Sequence, residues 1–466
     1  MNKIFNRYTL AALVAGMCLA GNAFATNGYF TQGTGTKNKS MAGSGIALPE
    51  DSIDIANNPA VSPFIGDQLV IGAALFSPVR KYNTTESLAN GGCSQMGCAF
   101  TIGPNSLKSD SEYFVIPHIA KSWQLNNDAA WALVFYGRGG MNTDWKGGSA
   151  TFDPTNGQSG PGTFPGTYGN GIFGGDGTAG VNLSQAFLDI NWAKKFSPHF
   201  TFGVSLILAA QMFEAEGVQT FAGYTKTAAE TGDLSQVTSL SNNGTDWSWG
   251  YGLKLGMHIP FNEKVALGVM YQTKIKMDEF SDYSDLFADN GGFDIPANFK
   301  IGLTVHANDN VALNFDIEHT WFSDVGAVGN PIQNLFSCPT LNPQGNVENC
   351  LGGSNGGGFG WDDMTIYKLG LRWKAGEDWT WRFGYSYGEQ PIGEDQMTFN
   401  ILAPAVIEQH FTTGFTLERT PGRQFNMSFM YAPNEKQTGP NNFDPSQMVT
   451  WEMYQWEIEA SYSWRF

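Results

Sequence analysis

Charge is scarce in this sequence, and its balance has the wrong sign for nucleic acid. Of 466 residues only 15% are Asp, Glu, Lys or Arg, against about a quarter in soluble domains. There are 43 acidic and 26 basic residues, a net charge of −17, which excludes the basic stripe that a phosphate backbone demands. Long hydrophobic runs are also missing: after residue 25 nothing approaches the roughly 18 consecutive apolar residues of a membrane-spanning helix. Histidine is rare, and the six present (His118, His199, His258, His306, His319 and His410) show no metal-binding pair spacing. Glycine (57 residues) and aromatics (14%) are plentiful instead.

The first 25 residues, MNKIFNRYTLAALVAGMCLAGNAFA, read as a secretory signal peptide. Lys3 and Arg7 precede an apolar stretch from Leu10 to Leu19, and Ala23-Phe24-Ala25 supplies a small-x-small cleavage site. Cys18 follows Met17, so the small-residue context of a lipidated cysteine is absent. Processing leaves 24 basic against 43 acidic residues, a net −19. Four cysteines then remain, Cys93, Cys98, Cys338 and Cys350, and four cysteines permit three pairings. Both couples sit in Gly/Asn-rich stretches of an exported chain, so the local disulfides Cys93–Cys98 and Cys338–Cys350 are expected over a metal site.

An exported chain poor in charge, rich in aromatics and without a spanning helix fits an all-β transmembrane β-barrel. The periodicity agrees. In the terminal QWEIEASYSWRF, Trp456, Ile458, Ala460, Tyr462, Trp464 and Phe466 alternate with Glu457, Glu459, Ser461, Ser463 and Arg465. Successive strand residues face opposite sides, so aromatics go to lipid and charges to the lumen. Ser248–Phe261, Val311–Trp321 and Trp379–Gly388 repeat the pattern.

Such segments predict 14 antiparallel strands at 69–82, 113–124, 128–145, 184–196, 200–216, 247–260, 264–280, 297–307, 310–324, 364–375, 379–391, 406–419, 423–432 and 451–466. The connections alternate between two or three residues and the long segments 83–112, 146–183, 217–246, 281–296, 325–363, 392–405 and 433–450. Short periplasmic turns and long extracellular loops are the habit of outer-membrane barrels. Residues 26–66 precede the first strand, are small, polar and Gly-rich, and are expected to fold inward as a plug, with 67–466 forming the barrel.

The plug, with Asn58-Pro59-Ala60 near its end, resembles the N-terminal hatch of the FadL/TodX/OmpP1 family of outer-membrane hydrophobic-compound transporters. FADNGGFDIPANFKIGLTV, DWTWRFGYSYGEQPI and the terminal strand ending in Phe466 are similar to that family too, so the likeness spans the mature chain. The resemblance implies a hatch-plugged, 14-stranded barrel that takes up long-chain fatty acids or aromatic hydrocarbons without energy input. Ligand would enter between the third and fourth extracellular loops, reach a lumenal site and leave sideways at a kink in the third strand. Outer-membrane lipid, lipopolysaccharide and, through Phe466, the barrel-assembly machinery are expected partners of a monomer. A greasy route would also avoid the polysaccharide layer.

Each candidate residue has a plainer reading. Asn57-Asn58-Pro59-Ala60 is either a simple turn or a hatch segment that shifts when ligand binds. Gly137, Gly139 and Gly140 either soften the end of the third strand or mark a lateral gate. Phe221, Tyr224, Leu234, Val237 and Leu240 in the third loop, with Tyr283, Leu286 and Phe287 in the fourth, are too apolar for solvated loops. They suit ligand capture or loop-on-loop packing. Ile207 and Phe213 fall on the lumenal face by parity and suit a greasy pocket or plug packing.

Glu214 and Glu216 stand in the outer half of the fifth strand with no Lys or Arg beside them, which disfavours a ligand carboxylate there. Lys300, Lys368, Arg372 and Arg382, lumenal by parity, either receive such a carboxylate or neutralise Asp189, Asp316, Glu318, Glu457 and Glu459. Catalysis has no visible seat: no activated serine accompanies His410, and the glycines at 33, 35, 43 and 45 lack the context of a phosphate loop. No enzyme activity, metal or cofactor is therefore expected. The expectation is passive transport of hydrophobic small molecules, with a water-filled porin or a non-transporting surface receptor as alternatives.

Overall fold

A computed structural model describes residues 27–95, 97–103, 106–153, 156, 169–174 and 177–466. The expected signal segment lies outside them. Fourteen long strands form the wall. The first seven are β1 (Gln68–Thr84), β2 (Phe114–Gln124), β3 (Ala129–Lys146), β4 (Thr178–Ser197), β5 (Phe200–Glu216), β6 (Asp246–Pro260) and β7 (Val265–Gln272). The others are β8 (Asn298–Asn308), β9 (Val311–Thr320), β10 (Met364–Lys374), β11 (Trp379–Gly388), β12 (Gln409–Thr420), β13 (Arg423–Asn441) and β14 (Asp444–Arg465). Each pairs antiparallel with its chain neighbours, and β1 pairs with β14 from Gln68↔Arg465 to Thr84↔Val449, closing the cylinder.

Burial runs opposite to that of a soluble protein. Leu206, Leu208, Leu253, Phe315, Leu369 and Phe429 are exposed on the outside, while Ser205, Lys254, Asp316, Lys368, Ser428 and Glu457 are buried within. This is the arrangement that bilayer hydrocarbon selects. The expected disulfides Cys93–Cys98 and Cys338–Cys350 are both present.

Several boundaries differ from the sequence reading: β4 already begins at Thr178, β11 ends at Gly388 and β12 begins at Gln409. β7 stops at Gln272 rather than continuing to 280; Ile275 turns aside to pair with Ile295, and Lys276–Met277 rejoin β6 with one extra residue inserted. β9 stops at Thr320, and Phe322–Asp324 form a 3-10 turn. The expected seventh loop, 433–450, is instead a hairpin: β13 and β14 stay paired beyond the barrel to a tip at Asn442 and Phe443. Register shifts between Ala432 and Glu435 and beside Pro440 absorb prolines that cannot donate to a ladder.

Residues 27–66 fill the lumen. Asn58 caps the 3-10 turn Pro59–Phe64, accepting from the Ala60 amide at 3.0 Å. Its amide nitrogen donates to the carbonyls of Ile46 and Met257, both at 3.0 Å, and Asn191 donates to the Pro59 carbonyl at 3.0 Å. The turn is thus also an anchor. Glycine makes the fit possible: a Cβ on Gly256 would lie 2.3 Å from Asn58 Oδ1, and one on Gly384 only 2.2 Å from the Met41 carbonyl carbon.

Charge completes the clamp. The hatch Lys39 reaches Glu457 at 2.9 Å and Glu459 at 2.7 Å, while Arg382 holds the hatch Glu50 through two bonds of 2.8 and 2.7 Å. Removing one partner of such a buried pair typically costs about 3–5 kcal/mol.

Gly384→Leu is expected to assemble a barrel whose hatch is displaced. Planar-bilayer recording checks this: a steady aqueous current should appear in the variant and be absent from the parent.

Burial pushes the Glu50 carboxyl up, but the Arg382 guanidinium overrides it and brings the group from 4.5 down to about 2. A lowered carboxyl contributes stability above its unfolded value and loses it as pH falls through the folded one. Protease protection of the hatch should therefore hold at neutral pH and decline as pH falls from 4.5 toward about 2. Glu50→Gln should lower protection at neutral pH and flatten that acid limb.

Candidate functional site

Above the hatch the lumen changes character. Phe213 of β5 points inward, and its ring stands 4.8 Å from Tyr283, 4.6 Å from Phe287 and 5.6 Å from Phe280. Phe213, Phe221, Leu286 and Phe287 line a cavity of about 40 Å³ together with residues of β4 and the fifth and sixth loops. An apolar cavity near 150 Å³ is the size that accepts benzene. A ring-sized ligand must therefore displace side chains here.

Not every candidate reaches this cavity. Tyr283 is buried behind Phe213, its hydroxyl donating to the Gly244 carbonyl at 2.5 Å and accepting from the Ala215 amide at 3.1 Å. Ile207 is buried lower on the same wall, opposite Gly252 and Asp189. Tyr224 packs above, 6.2 Å from the Phe221 ring. Leu240 is buried and Val237 half-buried off the cavity, and Leu234 is 37% exposed on a 3-10 turn.

The sequence reading missed Val181, Leu351, Phe359, Phe399 and Leu402, which also line it. The apolar run Phe399-Asn-Ile-Leu-Ala-Pro-Ala-Val-Ile407 in the sixth loop was the available signal.

A file of rings leads down from the cavity. Phe287 lies 5.0 Å from Phe293, Phe293 lies 6.1 Å from Tyr29, and Tyr29 lies 4.6 Å from Phe30. Phe30 carries the Arg138 guanidinium 4.7 Å above its ring. Here the wall is irregular. β3 pairs with β2 only from Ala130 to Tyr136, and Arg138 bulges out of its register with β4 between Gly137 and Gly139.

Above the bulge the wall reseals. The Asp110 amide donates to the Asp144 carbonyl at 2.8 Å, and the Arg80 guanidinium, reaching across from β1, donates to the carbonyls of Asn142 and Ser111. Between these limits Gly137–Met141 have no ladder partner on β2, a window roughly 17 Å long at 3.3–3.4 Å per residue. It is filled from inside: the Thr31 amide donates to the Arg138 carbonyl at 2.9 Å, and the Gly140 amide to the Tyr29 carbonyl at 2.9 Å. Arg138, Gly139, Gly140 and Met141 are all buried.

The lumenal cations resolve an open alternative. Lys300 lies 3.2 Å and Lys368 2.5 Å from Glu318, Lys254 lies 2.7 Å from Asp189, and Arg372 and Arg382 both approach Glu50. Asp316 accepts from the Ile46 amide at 2.9 Å. The basic groups neutralise three carboxylates, of which Glu50 belongs to the hatch and Asp189 and Glu318 to the wall. Glu214 and Glu216 do not enter the lumen. Phe213 and Ala215 occupy the inward positions, and the two carboxylates border a separate polar recess with Thr178 and Asn242.

A hatch-plugged cylinder with an apolar cavity under its loops defines an outer-membrane channel for hydrophobic compounds. The family model described as outer membrane protein transport protein (OMPP1/FadL/TodX) matches residues 155–462, and the chain belongs to that family. Solved structures share the fold at low identity. The Pseudomonas putida toluene transporter TodX is 18% identical, with 94% of this chain and 99% of that one covered at a TM-score of 0.61. A Pseudomonas aeruginosa FadL homologue is 14% identical over 96% and 100%, TM-score 0.59. The Ralstonia pickettii toluene transporter TbuX is 14% identical over 94% and 99%, TM-score 0.54. A search of curated protein sequences returned no match.

Phe287→Asp would place an unpaired carboxylate among Phe213, Leu286 and Phe359. Binding of benzene, as a ring-sized apolar probe, to the purified protein is followed by calorimetry and should weaken at least tenfold; unchanged affinity would remove this cavity as the binding site.

Proposed function

We propose that the protein passively carries neutral hydrophobic small molecules across the outer membrane, binding them beneath its loops and releasing them sideways through the β3 window. The observation that carries this reading is the stretch Gly137–Met141, which has no ladder partner on β2 and is met by backbone bonds from Tyr29 and Thr31 of the hatch. Below it the hatch is pinned by glycine seats and ion pairs, which favours release to the side.

Neutral cargo follows from the lumenal charge. Lys254, Lys300, Lys368, Arg372 and Arg382 each already face a carboxylate, so an incoming ligand carboxylate would have to displace one. Capture is driven by dewetting, at about 25 cal/mol per Å² of apolar surface removed from water. The moving part is the arm Asn27–Gly35, held to β3 by two backbone bonds, rather than Asn57–Ala60, which is tied at both ends.

Gly139 is the sensitive position: a Cβ there would lie 2.2 Å from Gln185 Oε1 and 3.2 Å from Phe30. Gly139→Trp is expected to cut toluene uptake at least tenfold in whole cells while the barrel keeps its heat-modifiable gel mobility. Full uptake by a correctly assembled Gly139→Trp barrel would eliminate the lateral route.

A further inference from the structure

A second aromatic assembly sits above the cavity, with Phe221 at its centre. The ring of Phe399 lies 5.1 Å from Phe221 and that of Phe443 lies 5.6 Å away. Phe443, at the hairpin tip of β13 and β14, also meets Tyr224 of the third loop at 5.9 Å and Phe336 of the fifth at 5.6 Å. Phe336 is 39% exposed. A chain of ring contacts thus runs from the outer surface at Phe336, through Phe443, to the cavity wall at Phe221.

We propose that apolar ligands are admitted where Tyr224, Phe336 and Phe443 meet, at the junction of the third, fifth and seventh loops, and not between the third and fourth. The seam between those latter two is laced with polar bonds. The Asp285 amide donates to the Ser239 carbonyl at 2.9 Å, Thr227 donates to the Asp285 carboxylate at 2.5 Å, and Asn243 donates to the Asp282 carbonyl at 2.7 Å. Asp285 is 6% exposed. Parting this seam would strip partners from the buried Asp285.

The three-ring junction carries no such penalty. Among the described residues no hydrogen bond joins Tyr224, Phe336 and Phe443 to one another. An apolar guest exchanges one set of ring contacts for another. The surrounding backbone is fastened, so rotation of side chains suffices. The Leu351 amide donates to the Tyr224 carbonyl at 2.9 Å, the Phe100 amide to the Phe443 carbonyl at 3.0 Å, and the Cys338–Cys350 disulfide braces the segment after Phe336.

The proposal rests on the transport reading, and the test separates the two. Phe336→Cys and, as the control at the other seam, Thr238→Cys are each expressed in cells and measured for toluene uptake before and after labelling with a bulky sulfonated maleimide. Unlabelled protein serves as its own folding control. Labelling Phe336→Cys should cut uptake at least tenfold, and labelling Thr238→Cys should leave it unchanged. Undiminished uptake with the label at 336, or a block from the label at 238 alone, would overturn the assigned entrance while transport stands. No uptake by the unmodified protein would overturn transport itself, and the entrance with it.

Discussion

Ammonium and guanidinium groups face carboxylates across the boundary between hatch and wall, in a space where almost no water reaches them. Lys39 with Glu457 and Glu459, and Glu50 with Arg382, join residues from opposite ends of the chain. The alternating strands oblige the wall to turn polar groups inward, and those groups require partners because they are buried. The hatch supplies them as side-chain charges, amides and carbonyls. A lumen neutralised in this way presents an incoming solute with charges that already have partners.

The proposed apolar route therefore runs beside the polar filling. Rings contributed by the loops converge above the hatch, and the file from Phe287 through Phe293 and Tyr29 to Phe30 leads to Gly137–Met141 of β3, which have no ladder partner on β2. Below Tyr136 ladder bonds seal the wall, and above Met141 Arg80 and Asp110 seal it again. The opening is bounded, and the hatch arm occupies it.

The two-residue alternation made the barrel legible in the sequence: its strand count, the facing of Glu457 and Glu459, and the long and short connections all follow from side-chain parity. The glycines around Arg138 and the Asn58-Pro59 anchor were visible as local irregularities. The polar, Pro- and Gly-containing stretch after Tyr431 was not legible as a hairpin, because its order comes from pairing with β14 and its prolines sit at bulges. Parity placed Lys300, Lys368 and Arg382 in the lumen but could not name their partners. Glu50 lies more than 300 positions from Arg382 in the chain, and only the folded hatch brings them together. The cavity suffered similarly, since Phe359, Phe399 and Leu402 come from loops whose conformation no periodicity encodes.

The division into a fixed hatch core and a moving arm is tested most directly by tethering the core. Ala42 and Thr412 touch across the boundary, the Ala42 amide donating to Thr412 Oγ1 at 2.8 Å. Toluene uptake is to be compared between the oxidised Ala42→Cys/Thr412→Cys double variant and its two single-cysteine parents. Uptake by the tethered protein should match that of the parents. A block that appears only on tethering would mean that the hatch core itself moves, contradicting sideways release past a fixed plug.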